Sequence, residues 1–194
     1  MLNITTETET TSKFEDDYRI VKQKSEKEKI LYVGMIEDYF SAIPILSELN
    51  VAKEDETLYL SINSDGGELY TALSIVMAIK RTKAKVIALC DVAASAATII
   101  TLACDEVWVT PLTEFMVHSV TSGSYGNTKD NKILAQHQEK YFTDIMIDCY
   151  KGFLTKEEVK TIVDNGDTLW MYGDLLIAKL NTWAKQNSKK VKVY

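Results

Sequence analysis

Apolar residues in this chain follow two rhythms. Dense short runs at residues 30–36 (ILYVGMI), 57–63 (TLYLSIN), 86–90 (VIALC), 106–110 (EVWVT) and 115–120 (FMVHSV) have the length and composition of buried strands. Between them, apolar side chains recur every three or four positions. Residues 38–49 carry Tyr39, Ala42, Ile43, Leu46 and Leu49 at helical spacing, with Asp38 placed to cap the first turn. Residues 68–81 carry Leu69, Ala72, Leu73, Val76, Met77 and Ile79, a wide apolar helix face, and the small-residue segment 92–103 (VAASAATIITLA) reads as a buried helix. The order β-α-β-α-β-α predicts an α/β fold, a mostly parallel sheet covered by helices.

The pattern then changes. After the polar segment 121–131 (TSGSYGNTKDN), residues 131–150 form a long helix with Leu134, Tyr141, Phe142, Ile145, Met146 and Cys149 on one side. A second helix follows at LTKEEVKTIVDNG, with Thr155 and Glu158 at the spacing of a capping box and Gly166 at its end. Residues 1–13 have too few apolar side chains to offset the entropy of ordering, and residues 14–29 mix charges with little apolar hold beyond Tyr18, Ile20 and Val21. Lys185, Lys189, Lys190 and Lys192 read as a solvated or frayed tail. With no repeat and no Gly-, Ser- or Pro-rich linker, the chain divides into an N-terminal segment 1–29, one domain 30–183 and a basic tail 184–194.

Composition narrows the function. The 194 residues include 22 Lys plus Arg and 28 Asp plus Glu, a net charge of −6, which disfavours a nucleic-acid backbone as partner. Cys90, Cys104 and Cys149 lack metal-ligand spacing and suggest core thiols in a reducing compartment. No apolar run approaches the roughly 20 residues a membrane span needs, and the acidic N-terminus does not resemble a targeting signal. A cytoplasmic protein with no metal and no organic cofactor is expected.

Candidate chemistry begins at Gly66-Gly67, between a strand and a helix. Two adjacent glycines serve a tight turn, or let backbone N–H groups approach a substrate where a Cβ would obstruct. Ser95, within Ala93-Ala94-Ser95-Ala96-Ala97, is either a structural hydroxyl or a nucleophile at a helix start. A nucleophile needs a base, and the chain has two histidines. His137 lies among Gln136, Gln138, Glu139 and Lys140 and reads as an exposed helix residue. His118 ends an apolar strand, where catalytic groups of α/β proteins gather.

Taken together, Asn63-Ser64-Asp65-Gly66-Gly67, Ala93-Ala94-Ser95 and Met116-Val117-His118 resemble three motifs of the Clp protease proteolytic subunits, in the family's order. The resemblance spans about residues 30–180 and implies a crotonase-like β-α spiral with a mostly parallel sheet and a protruding handle helix. It further implies a serine endopeptidase that cleaves peptide bonds without consuming ATP itself. Ser95 would be the nucleophile, His118 the base and Asp167 the orienting carboxylate, with Asp164 and Asp174 as alternatives to Asp167. Backbone N–H groups at Gly67 and Ala96 would hold the oxyanion, and Gly66 and Ser119 would contact substrate.

The resemblance also implies a homo-oligomer, one heptameric ring or two stacked, acting on unfolded polypeptides delivered by an AAA+ unfoldase. The helix 131–150 with the stretch 122–127 would be the handle meeting the opposite ring, and the N-terminal segment would line the axial pore. Tyr59 matches an aromatic position of the unfoldase-docking pockets, where Ser61 replaces a second tyrosine. Asp65 replaces the motif's Pro, Asp91 and Ala97 replace glycines, and Ser119-Val120 replaces Gln-Pro. Asp65 and Asp91 therefore add negative charge beside the site. Two other functions compete: a catalytically weak or silent ring subunit, and a crotonase-fold enzyme acting on acyl-CoA.

Overall fold

The computed structural model describes residues 20–21, 27–121, 123 and 126–194. Their strands are β1 (Ile20–Val21), β2 (Glu28–Val33), β3 (Thr57–Ser64), β4 (Lys85–Ala94), β5 (Glu106–Val109), β6 (Glu114–Val117), β7 (Leu169–Tyr172) and β8 (Lys190–Val193). The helices are α1 (Ile43–Val51), α2 (Leu69–Arg81), α3 (Ala96–Ala103), α4 (Thr128–Cys149), α5 (Lys156–Asn165) and α6 (Gly173–Asn187). All the strands join one sheet in the order β1-β2-β3-β4-β5-β8, with β6 paired to β4 and β7 to β6. Only β1–β2 and β6–β7 run antiparallel, so this is the expected mixed α/β architecture with a mostly parallel sheet.

Strand β4 sets the geometry. One edge pairs with β3 along nearly its whole length. The other edge pairs with β5 through Ile87–Leu89 and then with β6 through Val92–Ala94. Asp91 is the extra residue where the β3–β4 register shifts, because Ile62 faces Cys90 while Asn63 faces Val92. Such a bulge increases local twist at the point where β4 changes partner. Helix α1 packs on α2, α2 on α3, and α3 on β3, β4 and β6, while α6 lies against β6, β7 and β8. Leu58, Leu60, Ile62, Ala72, Ile75, Val86, Ala88 and Ile100 form the buried seam between sheet and helices.

Several predicted boundaries move for identifiable reasons. Helix α1 starts at Ile43, with Pro44 in its first turn, where a missing N–H costs nothing and the fixed φ suits a helix. Asp38 instead closes a local turn, its Oδ1 accepting from Ser41 N at 2.9 Å. Residues 92–94 extend β4 rather than beginning a helix, since β6 supplies ladder partners for them. The capping box at Thr155 and Glu158 is present and Gly166 ends α5 in the left-handed conformation. The long helix runs Thr128–Cys149, and only Met146 is fully buried on it.

Most of segment 1–29 lies outside the described residues, and Ile20–Val21 pairs with β2. The basic tail is a correction: α6 continues to Asn187 and residues 190–193 are β8, parallel to β5. The missing acids come from elsewhere in the chain. Lys189 Nζ lies 3.3 Å from Asp105 Oδ1, Lys190 Nζ 3.7 Å from Glu106 Oε1, and Lys192 Nζ 4.1 Å from the Trp108 ring centre. No helix among the described residues is long and apolar enough to cross a membrane. Deleting residues 189–194 is expected to lower unfolding free energy by about 3 kcal/mol, from a short ladder worth about 1 kcal/mol per bond. Urea denaturation at fixed protein concentration measures it, and an unchanged midpoint would restore the frayed-tail picture.

Candidate active site

Ser95 occupies the one-residue joint between β4 and α3 and has φ 52° and ψ −125°. Among the described non-glycine residues, only Ser188 shares its positive φ. A side chain in such a region costs of order 1–3 kcal/mol and persists only where neighbouring structure enforces it. The enforcing contacts are visible. Ser95 N donates to Met116 O at 2.7 Å, joining the end of β4 to the end of β6. Ser95 O accepts from Thr98 N at 3.1 Å and from Thr98 Oγ1 at 2.6 Å.

The turn directs the half-buried Ser95 side chain at His118, the first residue past β6, and Ser95 Oγ and His118 Nε2 lie 2.7 Å apart. His137 is exposed on α4 and stacks on Tyr141 with ring centres 5.8 Å apart. The three thiols are not rival nucleophiles: burial pushes Cys90, Cys104 and Cys149 upward, away from the thiolate.

Gly66 and Gly67 are required by two different close approaches. A Cβ on Gly66, at φ +98°, would fall 2.6 Å from Ala94 O and 2.7 Å from Ser95 Cβ. The glycine turn thus packs directly on the serine turn. A Cβ on Gly67, at φ +138°, would fall 1.9 Å from Ile36 O. That carbonyl also accepts from Glu68 N at 2.7 Å, while Ile36 N donates to Gly66 O at 2.8 Å. The N–H groups of Gly67 and Ala96 have no hydrogen-bond acceptor among the described residues. Glu68 then caps α2 through both carboxylate oxygens, to Tyr70 N and Thr71 N.

Asp167 is exposed in the connection between α5 and β7. The β6–β7 ladder ends at the Val117–Leu169 pair, one residue before His118 and two after Asp167. No carboxylate is hydrogen-bonded to His118 among the described residues. Asp164 belongs to α5 and Asp174 to the first turn of α6. Asp65 and Asp91 are exposed, whereas Ala97 is fully buried in the first turn of α3. Tyr59 stacks edge-on against Trp108, with ring centres 5.8 Å apart. Among the described residues, no group of three or more His, Cys, Asp or Glu is arranged to hold a metal.

Two hydroxyls beneath the serine turn escaped the sequence reading. Thr98 and Tyr150 are both buried, and their oxygens lie 2.5 Å apart. Thr98 had a signal, a hydroxyl three residues after a serine at a helix start. Tyr150 had none, since only the fold brings the end of α4 beneath α3.

The fold and site define an α/β protein whose Ser–His pair sits at adjoining strand ends of a mostly parallel sheet. The chain belongs to the Clp protease family, whose family model, described as Clp protease, matches residues 12–168. An ATP-dependent Clp protease proteolytic subunit of Deinococcus radiodurans is 28% identical over 144 residues, covering 71% of this chain and 70% of that protein. Proteins of the same name from Streptococcus pneumoniae and Streptococcus equi subsp. equi are each 31% identical over 136 residues, covering 66% of this chain and 69% of theirs.

The strained turn has a measurable signature. Ser95→Gly is expected to be more stable than Ser95→Ala by about 1 kcal/mol, because glycine alone adopts this backbone without a Cβ penalty. Urea unfolding of the two variants compares them, and Ser95→Ala emerging as the more stable would mean that the turn stores no strain.

Proposed function

We propose that this chain is the proteolytic subunit of a Clp-type serine peptidase, with Ser95 as nucleophile, His118 as general base and Asp167 as orienting carboxylate. The observation that carries the reading is the 2.7 Å contact between Ser95 Oγ and His118 Nε2 on a strained strand-to-helix turn. Membership of the Clp protease family supports it. In the neutral ring protonated at Nδ1, Nε2 takes the Ser95 proton as Oγ attacks the scissile carbonyl. The same nitrogen returns the proton to the leaving amine, and water reverses the sequence on the acyl-enzyme. Developing negative charge on the carbonyl oxygen is met by the N–H groups of Gly67 and Ala96, which have no acceptor among the described residues. Gly66 and Ser119 flank the path of an extended substrate.

The working assembly in this reading is a cytoplasmic homo-oligomer, one heptameric ring or two stacked, that receives unfolded polypeptide from an AAA+ unfoldase. The relatives' description as ATP-dependent supports the last element. Exposed apolar side chains on α4, with Ile133 57% and Ile147 40% accessible, support a surface covered by another subunit. A silent ring subunit is the second reading, favoured by the lack of a hydrogen bond between His118 and Asp167. An acyl-CoA enzyme would have no work for the Ser95–His118 pair.

A fluorophosphonate probe separates these readings. Labelling of Ser95 in the wild type, lost in Ser95→Ala and His118→Ala, is the expected result, and an unlabelled but folded and assembled protein would establish the silent subunit. Asp167→Asn should leave assembly intact and lower peptide turnover by up to about 10⁴-fold, the scale of losing the correct imidazole tautomer. If Asp164→Asn or Asp174→Asn is the damaging change, the orienting role moves to that residue. Native mass spectrometry should find seven or fourteen chains, and a monomer would overturn the ring.

A further inference from the structure

A buried relay runs from the foot of the long helix to the peptide that follows Ser95. Tyr150, the residue closing α4, places its hydroxyl 2.5 Å from Thr98 Oγ1, and Thr98 Oγ1 lies 2.6 Å from Ser95 O. Thr98 is 0% and Tyr150 4% exposed. The direction of the two bonds follows from the atoms available. A carbonyl oxygen can only accept, so the Thr98 hydroxyl proton goes to Ser95 O. The Thr98 oxygen is then left to accept, and Tyr150 donates to it. Burial pushes the Tyr150 phenol upward, which keeps that donor protonated.

The carbonyl at the end of this relay belongs to the same planar peptide unit as the N–H of Ala96. Whatever fixes the plane of Ser95 C=O fixes the direction of Ala96 N–H as well. A carbonyl that accepts strongly also polarises its amide, so the N–H on the far side becomes a better donor. Thr98 contributes two bonds to that oxygen, one from its backbone N–H at 3.1 Å and one from its hydroxyl. The hydroxyl bond is the one that Tyr150 supports. The Tyr150 ring also packs near Phe153, at 6.5 Å between centres, and Phe153 packs on Phe115 of β6 at 5.8 Å. Strand β6 ends at Val117, the residue before His118. The foot of α4 therefore bears on both halves of the Ser–His pair, by hydrogen bonds on one side and aromatic contact on the other.

We infer that Thr98 and Tyr150 are positioning residues for transition-state stabilisation, aiming and polarising the Ala96 N–H through the Ser95 carbonyl. This rests on the reading of Ala96 N–H as an oxyanion donor. A relay of this kind acts on the tetrahedral state and not on ground-state binding, so its loss lowers kcat and leaves KM in place.

The test uses the full-length assembly, a short fluorogenic peptide amide as substrate, a fluorophosphonate to count active sites and a peptide boronate as tetrahedral mimic. Tyr150→Phe should lower kcat per active site about 10-fold with KM unchanged, and Thr98→Val further, short of the roughly 100- to 1,000-fold of removing an oxyanion donor outright. Boronate affinity should fall by the same factors, Thr98→Ser should recover near-wild-type kcat, and Thr98→Val/Tyr150→Phe should be no worse than Thr98→Val. Wild-type kcat per site in both Tyr150→Phe and Thr98→Val would overturn the inference while leaving the peptidase reading intact. So would a loss confined to the number of folded sites, which is what a purely structural role would give. A wild-type assembly that neither cleaves the peptide nor takes the probe would overturn the peptidase reading, and this inference with it.

Discussion

The hydrogen bond from Ser95 N to Met116 O is the closure on which the site depends. Strand β4 must satisfy β3 on one edge while passing from β5 to β6 on the other, and it can do so only by twisting. Parallel ladders alone would let the ends of β4 and β6 diverge. The Ser95–Met116 bond extends the β4–β6 ladder past Ala94, into a residue whose backbone has already left the strand region. A serine and a histidine 23 positions apart in sequence thereby meet at hydrogen-bond distance. Small side chains suit this turn: Ala93, Ala94, Ala96 and Ala97 are all buried around it.

The cost of that geometry falls on the backbone. Ser95 has a left-handed φ with a Cβ in place, and Gly66 packs so closely on it that a second Cβ there would overlap. Strain of this sort survives where several independent contacts determine the conformation. Both poles of the Ser95 residue are tied, N–H to β6 and C=O to Thr98. The result is a strand-to-helix turn whose N–H and C=O directions are both set by the fold, which is the condition under which oriented dipoles stabilise charge without reorganising.

The sequence made the alternation of strands and helices legible because dense short apolar runs marked the strands and apolar residues at helical spacing marked the helices between them. His118 was legible as the end of an apolar run, whereas Ser95 was read within a small-residue helix 92–103 and the fold puts it at the joint between β4 and α3. What stayed hidden depends on partners distant in the chain. Residues 92–94 have helix-like composition and become strand because β6 supplies a ladder; residues 190–193 look like a solvated tail and become strand because β5 does. The four lysines found no acid nearby in sequence, yet Asp105 and Glu106 reach two of them across the sheet. Tyr150 is the clearest case, a residue whose position in the chain says nothing of its hydrogen bond to Thr98.

The departures from the family's motifs separate by burial, and burial decides what each can do. Ala97 is fully buried, so its methyl had to be absorbed by the packing of α3, and the helix is regular there, with Thr101 Oγ1 donating to Ala97 O at 2.9 Å. Asp65 and Asp91 are exposed. Exposed carboxylates act on the site through water and ions, where interactions fade over a Debye length of about 8 Å at physiological salt. At that range salt screens most of what they contribute, so their effect is on the charge of the surface and not on the packing of the turn. The buried change thus bears on whether the turn can form, and it does form; the exposed changes bear on the charge of the surface around it.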